Sequence, residues 1–353
     1  MKALSARQLL RLILAIQALA ALGIGLAAVR ILGASRWEGL LAGLGSVVLV
    51  RLLINLNNFL MSARFASPTP RAYRLGLRAR LRMFAEEFTA SMLQSSWTMP
   101  RARPRTRIYP ASDAPPVLLL HGYGCNSGYW SRLAPRLDAA GISHATVDLE
   151  PLTADIDDYA PLVERAVDAL CAATGSGKVV IVAHSMGGLV ARAWMRAYGS
   201  ARAARVITLG TPHHGTCLAA FGIGLNAAQM RRAAPGRAAP GRAAPGRTPH
   251  EEAPECAWLR DLAQGEDPAA RRLVTSLYSH HDNIVAPQTS GELPGARNLA
   301  FGGVGHVALG RNPRVLDAVM AEIQAEIQAE IQAEIRAQTR PGSAAASPAA
   351  PAY

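Results

Sequence analysis

Residues 178–188 read KVVIVAHSMGG, and the fold turns on how they are understood. Val179 to Val182 form an unbroken apolar, β-branched run, the pattern of a strand buried on both faces. Ala183-His184-Ser185-Met186-Gly187 follows, then Gly188 and a helical pattern. A serine on a tight strand-to-helix turn projects its hydroxyl from the carboxyl edge of a sheet. Small neighbours let two backbones pass closely at such a bend. The pattern is G-x-S-x-G with Ala183 in the first glycine place, and it has the preceding strand and following helix that the motif requires. A structural turn serine is the competing reading.

Working outward, residues 117–120, 144–149, 205–209, 273–279 and 298–301 read as further strands, and 158–173 and 187–198 as helices. Strands and helices alternating at these lengths predict an α/β fold, a mostly parallel sheet flanked by helices on both faces.

A serine alone is a poor nucleophile. It needs a base, and the base needs a third group to orient it. The acid must leave the end of a later strand. His280-His281-Asp282-Asn283 follows the strand at 273–279, which puts Asp282 in that place. Asp261, Glu266 and Asp267 compete for the role but lie in a polar helical stretch before the strand. The base must follow one more strand. Gly302-Gly303-Val304-Gly305-His306 follows 298–301, and His306 is the one histidine after the acid. The glycines are expected to leave His306 free to swing over the serine. A tetrahedral intermediate needs two backbone N–H donors. Met186, after the serine, supplies one; Tyr123, in the loop after the first central strand, supplies the other, with Gly122 letting the backbone approach. His121 and His184 read as bracing residues.

The segments LLLHGYGCNSGYW, VAHSMGGLVAR, TLGTPHHGT, SHHDNIVAP and GGVGHVAL stand here in the order found in bacterial triacylglycerol lipases and esterases of the α/β-hydrolase superfamily. The chain resembles them over roughly residues 115–320. The resemblance implies a Ser185–Asp282–His306 triad cleaving acyl esters. It also implies that the stretch containing His214 lies beside the active site and precedes a lid. Gly122, His214 and Phe221 are accordingly assigned to substrate binding. The departures are Ala183 and an insertion, 216–260, where a lid helix is expected. Some such lipases bind calcium, but no cluster of carboxylates suggests a metal here, and no cofactor is expected. The same machinery would also serve an acyltransferase or amidase, and a non-catalytic membrane scaffold on a hydrolase fold is the alternative from another class.

Charge divides the chain. Residues 1–110 hold 16 Lys+Arg against three acids, whereas the remaining 21 basic and 22 acidic residues nearly cancel. Nucleic-acid binding would want a basic stripe on the folded domain, so it is not expected. Arginine beside apolar runs suggests anionic lipid headgroups instead. Residues 12–29 carry no charge and 39–60 are interrupted by Arg51, Asn55, Asn57 and Asn58. Together they predict a transmembrane hairpin, with Arg51 costly unless it snorkels or pairs. The positive-inside rule places both ends and the catalytic domain in the cytoplasm of a bacterial inner membrane. A single anchor, with the enzyme on the periplasmic side, and a cleaved signal peptide are the competitors.

The expected organisation is a membrane anchor over 1–65, an amphipathic basic helix and linker over 66–114, a catalytic domain over 115–320, and a repeat-extended helix with a disordered tail over 321–353. The helix shows a stripe of Leu77, Leu81, Phe84, Phe88 and Met92; it suits either a membrane surface or the catalytic domain. AAPGR occurs three times over 233–247, a flexible loop by composition. AEIQ repeats from Ala321, and its isoleucines wind around the helix. The four cysteines read as free thiols, although Cys217 and Cys256 flank the insertion and would clip it under oxidation.

Overall fold

The computed structural model describes residues 4–110, 114–233 and 255–338, with 333–338 as backbone only. Most of the AAPGR repeat and the tail beyond 338 fall outside the described residues. The strands are β1 (Thr106–Arg107), β2 (Val117–Leu120), β3 (His144–Val147), β4 (Val179–His184), β5 (Ala203–Leu209), β6 (Val274–Ser279) and β7 (Arg297–Phe301). They form one sheet in the order β1-β3-β2-β4-β5-β6-β7. All neighbours pair parallel except β1 with β3. The long helices are α1 (Ala6–Ile31), α2 (Arg36–Arg64), α3 (Leu77–Leu93), α4 (Ala160–Thr174), α5 (Met186–Tyr198) and α6 (Pro313–Gln338).

The central strand β4 shows why the sheet needs cover on both sides. Side chains alternate across a strand. Val179, Ile181 and Ala183 enter one core with Val163 and Val167 of α4 and Leu189 and Val190 of α5. Val180 and Val182 enter the other with Val315, Leu316, Val319 and Ile323 of α6. Each such aliphatic side chain contributes about 1.5–3 kcal/mol on burial. The AEIQ repeat continues α6 along this second face. Ile323 is buried and Ile327 packs on the core edge. Glu326 pairs with Arg205 at 2.7 Å.

β1 lies inside the stretch expected to be a linker. Thr106 pairs with Ala145 and Arg107 with His144, so the Arg- and Pro-rich segment adds a short antiparallel edge to the sheet.

The N-terminal helices form an antiparallel hairpin. Each begins with a capping box, Ser5 with Gln8 and Ser35 with Glu38. Glycines let the backbones touch: a Cβ on Gly25 would lie 2.7 Å from the Gly39 carbonyl oxygen, and one on Gly43 would strike that of Ala21. Both helices are long and apolar enough to cross a membrane, and only 6% and 17% of their most apolar windows are buried. That outward apolar face is unlike the core helix of a soluble protein. Arg51 pairs, one of the two ways in which its cost was expected to be offset. Its guanidinium donates to Gln17 Oε1 at 2.6 Å and to the Ser95 and Ser96 hydroxyls at 3.0 and 2.6 Å. The hairpin also docks on the domain. Ala6 N–H donates to Glu150, while Arg7 and Arg11 donate to the Ala102 and Pro100 carbonyls.

Helix α3 forms where the apolar spacing predicts, but it presents two faces. Leu77 and Leu81 of the expected stripe are exposed. Phe84 meets Phe59 of α2, with ring centroids 5.6 Å apart. The face pressed against the domain runs through Met83, Glu87 and Ala90, which are buried.

Candidate active site

The turn after β4 brings Ser185 to the carboxyl edge of the sheet with φ 54° and ψ −125°. Among the described residues it is the one non-glycine at positive φ, a conformation that costs about 1–3 kcal/mol and persists only where its surroundings hold it. They do so here. Ser185 N–H donates to the Leu209 carbonyl at 2.9 Å, and Thr211 Oγ1 donates to the Ser185 carbonyl at 2.8 Å. The small residues around the turn are required by space. A Cβ on Gly187 would lie 2.6 Å from the His121 carbonyl oxygen, and one on Gly122 would lie 2.8 Å from Ser185 Cβ.

Asp282 and His306 leave the ends of β6 and β7 and meet. His306 Nδ1 lies 2.8 Å from Asp282 Oδ2, with both side chains buried. An ionised carboxylate only accepts, so Nδ1 carries the proton and Nε2 is left as an acceptor. Asp282 Oδ1 takes the N–H groups of Ile284 and Val285 at 2.8 and 2.7 Å. Burial alone would push the His306 imidazolium down. The charge and hydrogen bond of Asp282, with the charge of Glu87, hold it above the ordinary histidine value. Glu266, a competing acid by sequence, is consumed elsewhere in a buried bidentate pair with Arg192.

The loop around His306 is pinned, contrary to the expected free swing. His306 N–H donates to Asn283 Oδ1 at 2.9 Å. Ser279 Oγ holds the Val304 carbonyl at 2.6 Å. Gly305 is glycine for a packing reason, since a Cβ there would lie 2.5 Å from Glu87 Oε2. His184 and His121 brace the site. The ring of His184 stacks on Tyr129, while His121 Nε2 accepts from Leu149 N–H at 2.9 Å. Burial pushes both imidazoles below the ordinary histidine value.

Among the described residues neither Tyr123 N–H nor Met186 N–H donates to another protein group. Met186 opens helix α5, and first-turn amides have no intrahelical partner. Ser185 borders a cavity of about 350 Å³. Tyr123, Thr216, Leu218, Phe221, Met230 and Val285 also line it. His214 does not line this cavity; its ring is held by Glu255 at 2.7 Å. Tyr123 OH straps the cavity's flank by donating to the Ile223 carbonyl at 2.8 Å.

Part of the wall comes from outside the expected catalytic domain. Asn57, Asn58 and Met61 of α2 line the same cavity as Ser185. The one sequence signal for this was the cluster of asparagines breaking an apolar run. Among the described residues, no three His, Cys, Asp or Glu side chains gather to hold a metal ion. The four cysteines are free: Cys217 Sγ donates to the Ala233 carbonyl and Cys256 Sγ to that of Gln229.

The alpha/beta hydrolase family model matches residues 117–343. Among solved structures, the mature form of the Bacillus licheniformis lipase BlEst2 is 18% identical, with TM-score 0.50 over 63% of this chain and 98% of that one. Its propeptide form gives the same identity and score over 63% of this chain and 53% of that one. Aspergillus fumigatus lipase B is 14% identical, with TM-score 0.49 over 84% of this chain and 83% of that one. At 18% identity the likeness to the Bacillus lipase is one of fold.

Proposed function

This chain belongs to the alpha/beta hydrolase family, and we propose that it is a membrane-tethered serine hydrolase of carboxylic esters, with lipid or long-acyl esters as its substrates. The observations that carry the reading are a strained, cavity-facing Ser185 at the end of β4 and the Asp282–His306 pair, which leaves the ends of the parallel strands β6 and β7 at the same edge of the sheet. Ser185 Oγ attacks the ester carbonyl while His306 Nε2 takes its proton. The oxyanion receives the Tyr123 and Met186 N–H groups. Collapse expels the alcohol, which takes the proton from His306. Water then attacks the acyl-enzyme, with His306 again as base, and the carboxylic acid leaves. A fluorophosphonate probe tests this reading. It labels wild type and not Ser185→Ala; an unlabelled wild type ends it.

The substrate class follows from what surrounds the cavity. Its walls are largely apolar, including Leu218, Phe221, Met230, Ile284 and Met61, and its size suits a small-molecule site. The same helix that supplies Met61 has an exposed apolar surface at Leu53, Ile54, Leu56 and Leu60. A lipid-embedded α2 therefore brings acyl chains to the cavity wall. Esters of graded chain length check this: kcat/KM rises from acetate to longer acyl groups and rises again in micelles. A preference for acetate with no response to micelles counts against it.

Tethering rests on residues 1–65, with 66–114 linking to a catalytic domain at 115–320 and a helical extension beyond. The docking of α1 on Glu150, Ala102 and Pro100 favours a retained anchor over a cleaved signal peptide. The arginines at both ends of the hairpin favour the cytoplasmic side, which a topology reporter on each terminus tests.

The pH profile follows from His306. The base must be neutral to take a proton, and its pKa is held above 6.5. Hence kcat/KM rises with pH along a limb centred above 6.5. A limb centred well below that value contradicts the Asp282–His306 pairing.

A further inference from the structure

We propose that Glu87, on the N-terminal helix α3, is the positioning residue that fixes the loop carrying His306. The inference rests on the reading of His306 as the catalytic base. Glu87 lies outside the residues that match the hydrolase family, and it is 1% exposed. A carboxylate so buried is tolerated only where its oxygens are satisfied. Oε1 accepts Val307 N–H at 3.0 Å and Oε2 accepts Ala308 N–H at 2.8 Å. These are the two peptides directly after His306, at the start of the short turn Val307–Gly310. An acceptor from 220 residues upstream thus satisfies donors that the turn leaves open.

Two further observations fit this role. Gly305, on the other side of His306, has no room for a Cβ because the Glu87 carboxylate occupies that space. The loop therefore closes around the carboxylate from both sides of the histidine. The acid loop receives a parallel brace from the same N-terminal segment. Ser67 N–H and Oγ donate to Gln288 Oε1, and Gln288 Nε2 donates to the Asp282 carbonyl at 2.9 Å. Residues upstream of 115 thus brace the peptides after His306 directly and Asp282 through Gln288. Helix α3 is itself fixed to the hairpin through Phe84 and Met92, which meet Phe59 and Arg51 of α2.

The titratable groups facing His306 are Asp282, Glu87 and His184. Those facing Glu87 are His306, Asp282 and Tyr129. Burial raises the Glu87 carboxyl above its ordinary value, against the Val307 and Ala308 N–H groups and the charge of His306; in its ionised form Glu87 adds negative charge beside the base, and its removal leaves Asp282 to offset burial alone.

Full-length protein in detergent, assayed on a short ester across pH, tests the proposal with Glu87→Ala and Glu87→Gln. Glu87→Ala lowers kcat by about 10²-fold, the scale of a 1 Å misplacement, with KM within about twofold. Glu87→Gln keeps one acceptor and recovers part of that loss. In both variants the acid limb moves to lower pH. Hydrogen exchange of the peptide spanning 304–310 speeds up most in Glu87→Ala. Active variants with unchanged kcat, limb and exchange overturn the proposal alone. So does an equal loss in both variants with no shift of the limb, which marks a structural role only. A wild type that takes no fluorophosphonate and hydrolyses no ester overturns the site reading, and this inference with it.

Discussion

Ser185→Ala lowers kcat for a short ester by about 10⁶-fold, roughly 8 kcal/mol of transition-state stabilisation, while KM changes little. The magnitude follows from the neighbours of the serine. Among the described residues lining the cavity, the other hydroxyls belong to Thr216 and Tyr123, and both are engaged. Thr216 Oγ1 is committed to the Ile284 carbonyl at 2.7 Å, and Tyr123 OH to Ile223. Thr211 Oγ1 holds the Ser185 carbonyl itself. On the proposed mechanism, what remains in the variant is water, with His306 as base and the Tyr123 and Met186 amides as oxyanion donors. On the proposed mechanism the three side chains act as a unit, so adding His306→Ala to Ser185→Ala costs little more. A double variant whose losses multiply, or a single variant within tenfold of wild type, sinks the nucleophile assignment. Circular dichroism serves as the folding control, because alanine keeps the backbone held by Leu209 and Thr211.

The parts of this site that the sequence displayed are those set by local chemistry. β4 is legible because a fully buried strand must be apolar on both faces, and Val179 to Val182 are. The turn at Ser185 is legible because crowding demands small residues, and Gly187 has the Leu120 and His121 backbone pressed against it. Asp282 and His306 are legible because each follows a strand by a few residues. The rest is set by contacts that leave no local trace. Glu87 reaches Val307 across 220 positions, and nothing in LRMFAEEFTA distinguishes the buried acid from its neighbour Glu86. The apolar spacing of α3 pointed to Leu77 and Leu81, yet its domain face runs through Met83, Glu87 and Ala90. A helix wedged between two bodies needs two faces, and the more polar one hides among the arginines. Asn57 and Asn58 read as interruptions of a membrane span; they are cavity wall. β1, two residues long, falls below the length at which alternation is visible.

Asp282→Asn separates orientation from mere proximity, and it lowers kcat at neutral pH by about 10⁴-fold. The amide oxygen takes the place of Oδ1, because Ile284 and Val285 both offer N–H groups there. The amide nitrogen then faces His306 Nδ1 across the 2.8 Å gap left by Oδ2. Two donors cannot meet, so Nδ1 gives up its proton and the ring carries it on Nε2. On the proposed mechanism, Nε2 is then a donor and no longer accepts the proton of the serine. The variant also loses the charge that opposes burial, so the imidazolium pKa falls, with Glu87 alone left to raise it. The acid limb of kcat/KM therefore moves to lower pH even as the plateau drops. A residue needed only for packing predicts something else: a lower plateau with the limb unmoved. Glu87→Gln shares the downward shift but retains the Nδ1 tautomer, so its plateau stays well above that of Asp282→Asn. If the two plateaus coincide, the hydrogen bond from His306 Nδ1 is not what orients the base.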